Sequence, residues 1–473
     1  MSEKSLDPQD WDTFRAEAQA LLDHCIDQMQ QAGERPWRPM PEDLQAQYSI
    51  GQGGDVMARL RRDVLPYHAG NTHPKYWGWV QGSGLATDVT AGMVTAVMNS
   101  NCGGRNHGAN YMERAVIDWT RQKMGMPDTA SGVLVTGTSQ ATVLGFAAAR
   151  LRALGAEVRK TGHGEVQLTC YAGQGVHNAT RKAMELLGIG SDNIRRVPLV
   201  DGQMDVAALR ALVAEDRAAG ARPFLVVGTA GSVDFGLFDD FNALADFTEE
   251  EGLWLHVDGA FGAWTRLAEP PYRGLSDGIG RADSIALDFH KWMYVGYDCG
   301  LVLIRDEAEQ RAAFAARPVY LRGKSRGVAS GDPWFCDYGV DLSRGNRALK
   351  VWLALETYGE AAFSAAITHN CELAKVMAAE VLGADHMALA MPPVSNVCVF
   401  TARADLNAAA QSELNTRIAL DLQESGDAVF STTMVGEVEM LRAAIVNHRS
   451  TKADIVSAVA AVAARASVLS AAE

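Results

Sequence analysis

The stretch Ser284-Ile-Ala-Leu-Asp-Phe-His-Lys-Trp292 decides how this chain is read. A short apolar run ends in a histidine, a lysine and a tryptophan. A lysine at the end of a buried strand is costly to desolvate unless the site pairs it or lowers its pKa, and a desolvated lysine is a nucleophile. A second run of the same kind, Trp254-Leu-His-Val-Asp-Gly-Ala260, delivers Asp258 ahead of two small residues. Taken singly, Lys291 reads as a surface lysine closing a strand and Asp258 as a turn former or helix cap. Together they put an acid and a lysine at two strand ends. That pairing suggests pyridoxal phosphate, which needs a lysine to condense with and a carboxylate to keep its pyridine nitrogen protonated.

The surrounding sequence predicts a sheet to carry both. Between about 130 and 305, short apolar runs at 132–136, 166–171, 224–229, 254–258, 284–288 and 300–304 alternate with helical spacing at 139–154, 178–188, 205–220 and 239–251. Such alternation implies a mostly parallel sheet covered on both faces, with a site at the carboxyl ends of its strands. Ahead of it, apolar residues from Trp11 to Met29 recur at helical spacing and Gly33 stops the helix. The proline-rich run Arg35 to Pro41 then predicts an extended arm. An amphipathic helix of this kind needs another surface to cover, and a partner subunit supplies one. After 305 the segment 317–347 reads as a long loop. A helix is expected over 347–381, then alternating runs Asn396–Phe400 and Met440–Val446 in a smaller α/β domain, and an alanine-rich final helix over 456–472. The expected domains are 1–65, 66–370 and 371–473.

Composition excludes several classes. The 473 residues are 48% hydrophobic and 21% charged, as in soluble globular proteins, and 43 basic against 57 acidic residues leave a net charge of −14. Such a chain has no electrostatic reason to bind nucleic acid or an anionic membrane. Seven scattered cysteines, never in a Cys-x-x-Cys pair, predict reduced thiols and neither a disulfide framework nor a zinc site, so no metal is expected. With no signal-like N-terminus and no membrane-spanning run, the expected location is cytoplasmic.

A phosphate calls for backbone donors at a helix start. Thr136-Gly-Thr-Ser-Gln-Ala-Thr142 offers a glycine turn and hydroxyls there, though a plain helix cap fits equally well. His177, between a strand and a helix, reads as a cap unless something planar lies beside it, in which case its imidazole can stack and donate.

In this order the segments resemble the group II pyridoxal-phosphate amino-acid decarboxylases, from about residue 66 to 450. His73-Pro-Lys-Tyr-Trp-Gly-Trp79 is similar to the family's early His-Pro-aromatic stretch, and Ala109 to Trp119 to its Pro-Ala-x-Thr-x-Leu-Glu segment, with His107-Gly108 in place of Ser-Pro. Asp258 and Ala260 match Val-Asp-Ala-Ala, with Gly259 for the first alanine. Asp288-Phe-His-Lys-Trp292 matches the lysine signature, with Phe289 for proline. Gly231-Ser-Val233 departs from Gly-Thr-Thr, and Arg317-Pro-Val-Tyr-Leu321 resembles the family's loop with its tyrosine.

The resemblance implies a fold type I transferase architecture: a large domain with a mostly parallel sheet, an N-terminal helical arm and a small C-terminal α/β domain. It implies Lys291, Asp258, Ala260, Thr138, Ser139, His177 and His290 as cofactor-binding residues. It further implies catalysis by Lys291, Asp258, His177 and Tyr320, the last as proton donor from a loop reaching a neighbouring subunit, in a homodimer with its site at the subunit interface. The expected reaction is decarboxylation of an L-amino acid, aromatic in preference to acidic, to an amine; the alternatives on the same fold are an aldehyde synthase or another lyase and, last, a non-catalytic cofactor-binding dimer. Trp77 and Trp79 suggest an aromatic-lined substrate pocket, with hydrophobic core as the alternative reading of both. Lys75 and the arginines of 317–347 would instead suit an acidic substrate. Arg442 has no role assigned by the sequence.

Overall fold

The computed structural model describes residues 6–34, 36–51, 53–316 and 324–470. Seven strands form the central sheet: β1 (Ser131–Val135), β2 (Leu168–Gly173), β3 (Ile194–Val197), β4 (Arg222–Thr229), β5 (Trp254–Asp258), β6 (Ser284–Asp288) and β7 (Gly300–Ile304). Their order is β1-β7-β6-β5-β4-β2-β3. Pairing is parallel from β3 through β2, β4 and β5 to β6, while β7 runs antiparallel to both of its neighbours. Every residue of β1, β2, β5, β6 and β7 is buried, which accounts for their largely apolar sequences.

The six strands read from sequence are all present within a residue or two. The seventh, β3, was missed because Ile-Arg-Arg-Val at a half-exposed edge carries no apolar run. The reversal of β7 has a simple cause. A parallel return needs a crossover of about a dozen residues or more, and the connection 289–299, which carries His290 and Lys291, is too short. Backbone N–H groups of Phe289 and His290 both donate to the Cys299 carbonyl, folding this loop tightly over the strand end.

Helices α1 (Trp11–Gln30), α2 (Thr87–Met98), α3 (Gly108–Met124), α4 (Thr138–Leu154), α5 (Asn178–Leu186), α6 (Val206–Ala218) and α7 (Phe241–Glu251) precede or cover the sheet. Helix α1 is capped by Asp10, whose carboxylate accepts the N–H groups of Asp12 and Thr13, and buries none of its residues. The single helix expected over 347–381 is two: α8 (Ala348–Tyr358) and α9 (Glu360–Gly383), broken at Gly359 with φ 74°. Helix α9 joins two cores. Its Phe363, Ile367 and Cys371 belong to the core of the large sheet, and its Leu373, Met377 and Val381 to a second core. There it packs with α10 (Ala408–Ser425), α11 (Lys452–Ser470) and an antiparallel four-stranded sheet of β8 (Ala388–Leu389), β9 (Val397–Thr401), β10 (Ser431–Val435) and β11 (Val438–Ala444), in the order β8-β9-β11-β10.

Trp77 is a correction to the sequence reading. Its indole is fully buried in that second core against Phe430, and its N–H donates to Ser450 Oγ at 3.0 Å, so it does not face the pocket it was expected to line. No helix among the described residues is long and apolar enough to cross a membrane.

Candidate active site

The carboxyl ends of β1, β2, β4, β5 and β6 open into a cavity of about 630 Å³, closed on its far side by Ser431, Thr432 and Arg442 of the small sheet. Thr138, Ser139, His177, Asp258, Ala260, His290, Lys291 and Trp79 all line it. Eight of the ten residues nominated from sequence thus converge. Trp77 does not, and Tyr320 lies outside the described residues.

The loop after β6 sets the reactive end. Lys291 Nζ lies 3.2 Å from Asp288 Oδ2, and Asp288, 2% exposed, also accepts the Thr138 N–H on Oδ1 at 2.7 Å. His290 accepts the Cys299 N–H on Nδ1, which leaves Nε2 to carry the proton 3.6 Å from Asp288 Oδ2. Burial lowers the His290 pKa and favours a neutral ring. Tyr297 packs against that ring, tilted by 31° with centroids 4.3 Å apart. Buried anchors fix the loop: Trp264 Nε1 donates to the Asp288 carbonyl, and Trp292 Nε1 and Tyr294 OH both donate to Asn370 Oδ1. Gly82 lets a second segment pass here, because a Cβ would sit 2.5 Å from the carbonyl oxygens of His290 and Lys291.

Asp258 ends β5, 6% exposed, and accepts the Ala260 N–H on Oδ1 at 3.2 Å. His177 caps α5, its Nδ1 accepting the Ala179 N–H. Gly137 starts α4 where a Cβ would press against His290 Cε1 at 3.2 Å. The adjacent Thr138 hydroxyl is buried with no hydrogen-bond partner among the described residues. An unpaired hydroxyl, a glycine cradle and the N-terminus of a 17-residue helix suit a phosphate. A buried carboxylate and a reachable lysine across the same cavity suit a pyridine ring and its aldehyde, so pyridoxal phosphate fits the residues present.

Sequence reasoning left Arg442 without a role and overlooked Asp234. Arg442, 3% exposed on β11, donates from Nη1 to the Trp79 carbonyl and to Ser431 Oγ, both at 3.1 Å. Its Nε and Nη2 are buried without partners among the described residues. Burial pushes its pKa down to about 10, while the charge of Asp234 opposes that. The available signal was a lone arginine within the apolar alternation Met440–Val446. Lys75 does not line the cavity. Of the loop arginines, Arg344 is locked to Glu113 at 2.6 Å and Arg347 to Asp298 at 3.0 Å. Among the described residues, no group of His, Cys, Asp or Glu is arranged to hold a metal ion.

Comparison with known proteins agrees with this geometry. The solved structure of Oryza sativa TDC with PLP and tryptamine superposes with a TM-score of 0.90 over 98% of this chain and all of that one, at 25% identity. Catharanthus roseus tryptophan decarboxylase in complex with L-tryptophan shares the fold with a TM-score of 0.86 over 98% of this chain and all of that one, at 23% identity. The chain is therefore built as a pyridoxal-phosphate decarboxylase of α/β architecture.

The pyridoxal-dependent decarboxylase conserved domain matches residues 65–403. The aromatic-L-amino-acid decarboxylase of Bacillus atrophaeus is 31% identical over 402 residues, 84% of this chain and 82% of that protein. Phenylacetaldehyde synthase of a Rosa hybrid cultivar is 25% identical over 93% of this chain and 91% of that protein. The chain belongs to the pyridoxal-phosphate-dependent amino-acid decarboxylase family, and pyridoxal phosphate is its cofactor.

Proposed function

We propose that this enzyme decarboxylates an aromatic L-amino acid to the corresponding amine, as a homodimer in the cytoplasm with its site at the subunit interface. The observation that carries the substrate reading is the cavity wall itself. Trp79, Phe261 and Tyr297 offer planar apolar surface, and Arg442, the one arginine lining it among the described residues, has two buried N–H groups without partners among those residues.

When bound, the cofactor supplies an aldehyde for the substrate amino group and a pyridinium that withdraws the electron pair released as carbon dioxide leaves. Lys291 would hold that aldehyde. Asp258 would keep the pyridine nitrogen protonated, supporting charge that develops only as the bond breaks. His177 would hold the ring, and Thr138 and Ser139 the phosphate, with Ala260 and the neutral His290 imidazole lining the same cavity. Arg442 takes the α-carboxylate, where a bidentate guanidinium contact fixes the bond to be broken. Tyr320 delivers the proton to Cα.

An acidic substrate is disfavoured, since neither Lys75 nor any described arginine of the 317–347 loop reaches the cavity to meet a second carboxylate. The competing oxidative outcome rests on relatives such as 4-hydroxyphenylacetaldehyde synthase of Rhodiola rosea. Two variants test the reading. Lys291→Ala loses the visible cofactor absorbance and all amine release from tryptophan, tyrosine and phenylalanine. Assayed in air, Tyr320→Phe diverts product from amine to aldehyde, ammonia and hydrogen peroxide, with dissolved dioxygen as the oxidant. Faster carbon dioxide release from glutamate than from every aromatic amino acid overturns the substrate reading, and an unchanged product in Tyr320→Phe overturns the role of the tyrosine.

A further inference from the structure

Five charged side chains line the cavity besides its histidines: Asp234, Asp258, Asp288, Lys291 and Arg442. The proposed function places three of them, and Asp288 is engaged by the Thr138 N–H and Lys291. Asp234 is left over, and it is held in place. The N–H groups of Gly231 and Ser232 both donate to the Leu237 carbonyl, and Ser232 Oγ accepts the Leu237 N–H, closing the loop 231–237. The small sheet clamps that loop from the other side. Ser395 Oγ donates to the Gly236 carbonyl at 2.8 Å, and Thr433 Oγ1 donates to Asp234 Oδ1 at 2.5 Å.

One carboxylate oxygen is thereby fixed. The other, Oδ2, makes no hydrogen bond among the described residues and lies on the side of Gly175, 3.8 Å from where a Cβ there would sit, in the cavity that His177 also lines. A half-buried acceptor on a clamped loop is satisfied by a ligand donor and repels a ligand carboxylate.

We propose that Asp234 is the specificity-determining residue of this cavity. It selects amino acids whose side chain ends in a hydrogen-bond donor and rejects those ending in a carboxylate. The inference rests on the placement of the α-carboxylate at Arg442. It divides aromatic substrates in a way that Trp79 and Tyr297 cannot, favouring tyrosine and tryptophan over phenylalanine. The shared chemistry is the donor; a phenol, an indole N–H and an amine are its sources.

The test is equilibrium binding of product amines to the purified holoenzyme and to Asp234→Asn, a near-isosteric change that keeps the Thr433 contact feasible. Tyramine is compared with phenethylamine, and 1,3-diaminopropane with propylamine. In the parent at least one donor-bearing amine binds about tenfold tighter than its donor-less counterpart, since sites built around a hydrogen bond discriminate strongly against analogues lacking it. In Asp234→Asn that ratio falls several-fold, and kcat/KM for glutamate relative to phenylalanine rises. The pair showing the preference identifies the donor as phenol or amine. Ratios near one in the parent, or ratios unchanged in the variant, overturn the inference. A merely structural Asp234 lowers affinity for both members of a pair alike and leaves the ratio intact. These ratios need no turnover, so a failure of the substrate reading in the carbon dioxide assay is separable from a failure here.

Discussion

Asp258 and Lys291 show how far single residues can be read. Each stands at the end of a fully buried strand, and a charged side chain in such a place is either paired or functional. Asp258→Ala is expected to lower kcat by about a hundredfold or more, the scale of losing one preorganised charge aimed at a developing one, while the cofactor band remains. Amine release per absorbing site measures it.

His256, by contrast, belongs to the core. Fully buried between Phe146 and Ser284, its Nδ1 is 2.7 Å from Ser284 Oγ and its pKa is pushed down to about 3 by burial. The unfolded chain binds a proton near pH 6.5 that the fold refuses until about pH 3. This contribution to stability is therefore complete above pH 6.5 and is lost as pH falls below it, reaching about 2 kcal/mol at pH 5. Urea unfolding at pH 7 and pH 5 should show a larger drop for the parent than for His256→Gln by that amount. Trp77 was misread at this scale because an aromatic residue beside Trp79 carries no label for which core it enters.

At the scale of elements, strands were legible and breaks were less so. Helix α4 and the strands β1, β2, β4, β5, β6 and β7 follow from local pattern, because strands of a sheet covered on both faces are mostly apolar. The break at Gly359 was overlooked, since apolar spacing continues across it. With φ 74° and ψ 158°, Gly359 occupies a region that other residues enter only at a cost of about 1–3 kcal/mol. No atom lies within 4 Å of a Cβ built there, so Gly359→Ala isolates the backbone penalty. A drop of that size in unfolding free energy is expected, with cofactor absorbance unchanged. A neutral result would mean that α8 and α9 can rejoin or shift without loss.

For the whole molecule, the exposed apolar residues need a cover. Met93, Val94 and Val97 stand out from α2, the last 88% exposed, and Trp11, Phe14 and Ile26 from α1. Patches of this kind mark association surfaces, which supports the proposed homodimer. Sedimentation of the parent should give twice the chain mass, and Val97→Lys should shift it toward one chain with loss of turnover. A parent that sediments as a monomer at assay concentration would remove that proposal.

The sequence by itself determined the alternation of strands and helices, the family, the cofactor and the convergence of Lys291 and Asp258 on one cavity. Each of these is written in short-range pattern: hydrophobic period, a charge closing an apolar run, a glycine before a helix. Only the tertiary structure decided that Trp77 leaves the cavity while Trp79 stays, that Asp288 bridges the Thr138 amide and Lys291, and that Arg442 and Asp234 enter a site whose other members lie far away along the chain. The reason is that the small sheet closes the cavity through contacts between residues widely separated in sequence, such as Arg442 with Trp79 and Thr433 with Asp234. No local pattern encodes which of two neighbouring side chains will face such a closure.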